Sequence, residues 1–191
     1  DLLFTEGIVN QWDDVAEVLP CGPTVGGGNL QNIIRVKLHP TVAVKTDSME
    51  RNFYMTSSCG ICGKTSLEAL KVNNRFGSDI KNHPAMTIDR EVLTSLPGTM
   101  VAHQQQFQET AGSHASALFD LNGQLHCLRE DVGRHNALDK VVGWALKHRL
   151  LPLQHHILVV SGRASFELMQ KASMAGIPTV AAVGAPSSLA L

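Results

Sequence analysis

From His156 onward the chain reads "HILVVSGRASFELMQKASMAGIPTVAAVG", an apolar strand, a helix closed by Gly176 and a second apolar strand. Two strands joined through a helix in this way lie parallel in one sheet, and such crossovers are right-handed in nearly every known case. The following "APSSLAL" predicts the start of another helix. Upstream, "HASALFDLNGQLHCLRE" alternates apolar and polar residues on both sides of Asn122-Gly123, which predicts two antiparallel strands joined by a type I′ turn. Between hairpin and crossover, "RHNALDKVVGWALKHRLL" puts Leu138, Val141, Val142 and Ala145 on one helical face and stops before Pro152. Hairpin, helix, strand, helix, strand gives a mixed sheet with helices packed on it, an α/β fold.

The rest of the chain is less regular. In "DREVLTSLPGTMVAHQQQF" the apolar stripe Val92, Leu96, Met100, Val101 and Phe107 predicts two helices, or one broken at Pro97-Gly98. "IIRVKLH" predicts a strand with Ile34, Val36 and Leu38 on its buried face, and "VAEVL" reads as a short helix ending at Pro20. Residues 1–50 therefore read as a partial N-terminal region and residues 51–191 as the α/β core. The chain has no initiator Met and opens abruptly, so it reads as a fragment.

Both strands of the crossover run into small-residue turns, "SGRAS" and "GAPSS", that lead towards helix starts. Ligands of open α/β sheets bind at such strand ends, and the free N–H groups of a helix start attract anions. Ser161, Gly162, Arg163, Ser165, Gly184 and Ser187 are the candidate phosphate-binding residues, with the Arg163 guanidinium as a forked donor. "REDVGRHNALDK" crowds charge between a strand and a helix, and its Arg134, His135, Asn136 and Lys140 are expected to converge with "SGRAS". His114 is a further candidate. No G-x-G-x-x-G or G-x-x-x-x-G-K-[ST] string occurs, so the common dinucleotide and P-loop schemes do not account for these turns.

"SSCGICGK" sets Cys59 and Cys62 at C-x-x-C spacing, each followed by glycine, just before "SLEALK", which predicts a helix from about Ser66. A zinc clip needs four ligands, and no second pair with suitable spacing is present, so no metal is expected. A dithiol redox couple stays open. Lys64 and the helix start that follows favour thiolate over thiol, which suits a nucleophile that accepts an atom and gives it away.

Sixteen basic residues against seventeen acidic ones, without a basic block, give no footprint for nucleic acid. No run approaches the length and apolarity of a membrane span. Four cysteines in 191 residues do not make a secreted disulfide framework, and the setting expected is a reducing cytoplasm.

Taken together, "SSCGICGK", "DVGRHNALDK", "SGRASFELMQKA" and "AGIPTVAAVGAPSSLA", with the leading "FTEGIV" and "RNFYMTSSCG", resemble the formate dehydrogenase accessory sulfurtransferases along nearly the whole chain. The resemblance implies a cytidine-deaminase-like three-layer core and makes Cys59 and Cys62 the sulfur-carrying pair. It implies that sulfur arrives as a persulfide from a cysteine desulfurase and passes to a molybdenum or tungsten bis-guanine-dinucleotide cofactor serving a formate dehydrogenase apoprotein. The guanine-nucleotide part of that cargo would occupy the anion-friendly turns, and a homodimer is expected. Where zinc deaminases carry H-x-E and P-C-x-x-C, this chain holds "RHN" and "SGRASFE", so His135 remains without thiol partners. The N-terminal strands and the final strand usual in the family are absent, so truncation at both ends is expected. The rival reading is an escort that binds a molybdopterin nucleotide without chemistry, its cysteines a redox or zinc-binding pair.

Overall fold

The computed structural model describes residues 2–22, 24, 25, 28, 29, 33–44, 76 and 86–191. Cys59, Cys62 and the helix expected from Ser66 lie outside the described residues. The core sheet has four strands, β5 (His114–Asp120), β6 (Leu125–Asp131), β7 (His156–Arg163) and β8 (Thr179–Gly184), in the order β6-β5-β7-β8. β5 is antiparallel to both β6 and β7, whereas β7 and β8 are parallel. That is the mixed sheet expected, with α4 (Arg134–Lys147) linking β6 to β7 and α5 (Phe166–Met174) linking β7 to β8.

Alternation along the strands builds two apolar layers. Ala115, Ala117, Phe119, Ile157 and Val159 face Leu96 and Met100 of α2 (Arg90–Ala102). Leu118, Leu158 and Val160 join Leu138, Val141, Val142 and Ala145 of α4, together with Leu168 and Ala172 of α5. Phe4 of α1 (Leu2–Thr5) and Val9 enter this second layer, so the first turn of the chain is built into the core. α5 ends at Gly176, φ +75°, where the Gly176 N–H donates to Ser173 and the Ile177 N–H to Ala172. A side chain at this left-handed position is strained, which is why glycine marks the helix end.

Four local expectations are corrected. "VAEVL" is not helical: it forms β1 (Val15–Cys21), antiparallel to β4 (Ile33–Leu38). Five residues before a proline are too few to nucleate a helix, while pairing supplies a ladder and a Lys37–Glu17 ion pair at 2.6 Å. Between β1 and β4 lie β2 (Thr24–Val25) and β3 (Gly28–Asn29), a second small pair. Ile34 is 60% exposed, since only the Val15 and Leu38 end of the ribbon packs on the core.

The second correction concerns Pro97, which sits inside α2 without ending it. Its missing N–H would have served the Leu93 carbonyl, and Leu93 lies on the exposed side of the helix. The chain turns instead at His103, before the short α3 (Gln105–Thr110). Third, Val101 and Phe107 are exposed, and the stripe of α2 that packs on the sheet is Leu96 and Met100, both buried, with Val92 partly buried beside them.

The hairpin stands, but its turn is not type I′. Among the described residues the only non-glycine positions with positive φ are Ala111 and Arg149, so Asn122 is not left-handed; Gly123 is, at φ +84°. Asp120 imposes the longer loop by accepting hydrogen bonds from the Asn122 and Gln124 N–H groups at 2.9 and 2.8 Å.

Candidate functional site

β7 and β8 run parallel, so their C-terminal ends open side by side, and the residue facing Arg163 across the ladder is Gly184. A Cβ on Gly184 would lie 2.8 Å from Arg163 Cγ and 3.1 Å from its backbone N, so only glycine permits this approach. Beyond it the chain turns back, and the Ser187 N–H donates to the Ala164 carbonyl at 2.9 Å. The result is a cavity of about 160 Å³ walled by Arg134, Arg163, Ser165, Pro186 and Ser187.

Two arginines and a helix cap thus line one small space. Ser165 caps α5, its Oγ accepting from the Leu168 N–H, and the His135 Nε2 lies 3.1 Å from the same Oγ. The Ser187 Oγ is buried and has no hydrogen-bond partner among the described residues. An unmade hydrogen bond in a buried site costs roughly 1–3 kcal/mol, which a bound acceptor would remove. At this volume the cavity accommodates phosphate groups, since whole small-molecule sites start at roughly 300 Å³.

Burial pushes the His135 imidazole below its ordinary pKa. The Glu167 carboxylate, with Oε2 at 3.8 Å from Nε2, pulls it back, while the Arg134 and Lys171 cations add to the lowering. At neutral pH the ring is therefore uncharged, with its Nε2 at the Ser165 Oγ and the Arg134 cation nearby.

Of the residues proposed from sequence, Arg134, Arg163, Ser165 and Ser187 line this cavity, with His135 and Gly184 supporting it. Gly162 stands at its edge, where a Cβ would meet Arg134 Cδ at 3.5 Å. Ser161 faces away, its Oγ accepting from the Ala115 N–H at 2.9 Å. Asn136 and Lys140 are held elsewhere: Asn136 Nδ2 donates to Asp131 Oδ1, and Lys140 Nζ pairs with Asp131 Oδ2 at 2.7 Å and donates to the Glu130 carbonyl. Lys140 lowers the pKa of the Asp131 carboxyl, helped by the Gly133 N–H.

Sequence reasoning missed the support beneath the site. Lys171 and Asp139 are buried and paired at 2.9 and 3.0 Å, with Thr5 Oγ donating to Asp139 Oδ1. This ties α1, α4 and α5 together one turn or so below the helix starts that carry Arg134 and Ser165. The signal was present: Lys171 falls between Leu168 and Ala172 on the apolar stripe of α5, where a lysine needs a buried anion. Among the described residues no group of three or more His, Cys, Asp or Glu side chains is placed to hold a metal ion.

Compared with known proteins, residues 2–191 match the family model described as FdhD/NarQ. The chain is 50% identical over 190 residues to the sulfur carrier protein FdhD of Streptomyces avermitilis, covering 99% of this chain and 67% of that protein. The Streptomyces coelicolor sulfur carrier protein FdhD matches with the same identity and coverage, so the chain spans about two thirds of these relatives. A solved structure assigned as a formate dehydrogenase accessory protein from Desulfotalea psychrophila superposes with TM-score 0.64 at 21% identity, over 99% of this chain and 62% of that one. That likeness concerns the fold. Identity at this level along nearly the whole length makes the chain a member of the FdhD/NarQ family.

Proposed function

We propose that this chain is a sulfurtransferase that carries sulfur on Cys59 and Cys62 to a molybdenum or tungsten bis-guanine-dinucleotide cofactor destined for formate dehydrogenase. Sulfur is taken up by thiolate exchange. One cysteine thiolate attacks the terminal sulfur of the desulfurase persulfide, the new S–S bond forms as the old one breaks, and the desulfurase cysteine leaves as thiolate. Delivery as sulfide takes two electrons. The second cysteine supplies them by attacking the persulfide-bearing sulfur, closing a Cys59–Cys62 disulfide and expelling sulfide to the metal, and a cellular dithiol then reopens the pair. The cargo's phosphates sit between Arg134 and Arg163, near Ser165 and Ser187.

The observation that carries this reading is the convergence of those four residues on one cavity in a chain whose relatives are sulfur carriers. The sheet order, with β5 antiparallel between β6 and β7, agrees with the deaminase-like plan that the family resemblance implies. A cytoplasmic homodimer that meets both desulfurase and apoenzyme completes the proposal.

Arg163→Ala tests the cargo site. One charge-assisted contact is worth roughly 1.5–3 kcal/mol, so binding of guanosine diphosphate, as a surrogate for half the cargo, is expected to weaken about tenfold to a hundredfold by calorimetric titration. Persulfide loading in the same preparation is expected to survive. Unchanged affinity would reduce "SGRAS" to a capped turn, and a chain that binds nucleotide but never gains sulfur would be an escort.

A further inference from the structure

Ser165 stands between the cradle and the histidine behind it. It is 4% exposed, and its Oγ accepts from the Leu168 N–H at 3.5 Å and lies 3.1 Å from the His135 Nε2. A hydroxyl has two lone pairs and one hydrogen to place. When Nε2 carries a hydrogen and donates it, both lone pairs are taken, and the Ser165 hydrogen is left for the cavity that this residue lines. When Nε2 is bare it accepts that hydrogen instead, and the oxygen has only a lone pair to offer an anion. A neutral imidazole permits both arrangements, whereas the charged ring has a hydrogen on each nitrogen and permits only the first.

The charges around the ring are balanced closely enough for an anion to decide between the two. On α4, Arg134 disfavours the charged ring and Asp139 favours it; on α5, Lys171 disfavours it and Glu167 favours it. Asp139 and Lys171 are paired with each other at 2.9 Å, and the Glu167 carboxylate stands 3.8 Å from both the His135 Nε2 and the Lys171 Nζ. With the cradle empty, burial tips the ring to neutral. A phosphate among Arg134, Arg163 and Ser187 would bring negative charge to the wall that Ser165 forms, and would supply an acceptor for the buried Ser187 Oγ, which has no partner among the described residues.

We propose that His135 is a positioning residue: it takes a proton from solvent when an anion enters the cradle, and its Nε2–H then leaves the Ser165 hydroxyl free to donate to that anion. The inference rests on the proposed reading of the cradle as a phosphate site and adds the residue that sets its hydroxyl donor. The liganded chain holds more protons than the empty one, so affinity falls as pH rises through the window between the ring's pKa values in the two states. Each unit by which the anion raises that pKa is worth about tenfold in affinity.

The test is titration of the whole chain with guanosine diphosphate between about pH 5 and 8, for the parent, His135→Gln and Ser165→Ala. Glutamine offers a hydrogen at every pH and cannot gain a charge. The ratio of the His135→Gln Kd to the parent Kd is expected to rise about tenfold from the alkaline to the acid end, because the titration of the nucleotide itself is common to both and divides out. Ser165→Ala is expected to lose most of that dependence, since the ring then has no hydroxyl to set. Calorimetry of the parent in two buffers of different ionisation enthalpy reads the proton directly without any variant. Near neutral pH, where a phosphate is mostly ionised already, net proton uptake on binding is expected. Parallel pH profiles for the parent and a folded His135→Gln, a dependence that Ser165→Ala leaves whole, or binding without proton uptake each overturns this inference and leaves the phosphate reading standing. A chain that binds no guanosine diphosphate at any pH overturns that reading and this inference with it.

Discussion

Cys59→Ser and Cys62→Ser are each expected to abolish maturation of a formate dehydrogenase in cells whose own carrier is deleted, with activity falling to the level of the deletion. The effect is total because the proposed cycle uses both sulfurs. One holds the persulfide and the other provides the electrons that release sulfide, and a hydroxyl does neither. The fold is expected to be unaffected, since serine is nearly isosteric with cysteine and both variants keep every residue of the two described apolar layers. Melting temperature and circular dichroism of the purified variants check this. Full activity in both single variants would remove the pair from the chemistry, and activity in one alone would leave a single-cysteine carrier.

A second large effect is expected from the buried pair beneath the cradle. Asp139→Ala leaves the Lys171 ammonium, 3% exposed, with Thr5 and a Glu167 carboxylate 3.8 Å away as its remaining partners. Breaking one side of a buried ion pair costs about 3–5 kcal/mol. For a chain of this size that corresponds to a fall in melting temperature of about 6–20 °C. Replacing both partners together, Asp139→Leu with Lys171→Met, is expected to recover most of the loss, because the desolvation cost disappears along with the attraction. Guanosine diphosphate affinity reports the consequence for the site, since the pair holds the starts of α4 and α5 in register. A single variant that melts within about 2 °C of the parent would contradict this account of the pair.

The parts of the fold that were legible in the sequence are those where one local rule decided the outcome. The β7-α5-β8 crossover and the α4 face were written in apolar period and in Gly176, and they place Arg134, Arg163, Ser165 and Ser187 correctly at strand ends and helix starts. Elements whose form depends on distant partners were not legible. "VAEVL" is a strand only because β4 lies beside it, and the turn after β5 is set by the Asp120 carboxylate as much as by Asn122-Gly123. The cluster "REDVGRHNALDK" looks like one site in the sequence, but in the fold it divides. Arg134 lines the cradle and His135 reaches the Ser165 Oγ in its wall, while Lys140 and Asn136 serve Asp131. Lys171 and Asp139 escaped because burial of a polar side chain is a tertiary fact, visible in sequence only as a polar residue out of place in an apolar period.

Sulfur carriage itself is tested most directly by mass spectrometry of the whole chain after incubation with a cysteine desulfurase and free cysteine. The account predicts a gain of one sulfur atom on Cys59 or Cys62, abolished in the double serine variant and removed by mild reductant. A desulfurase that turns over while neither cysteine gains sulfur would contradict it.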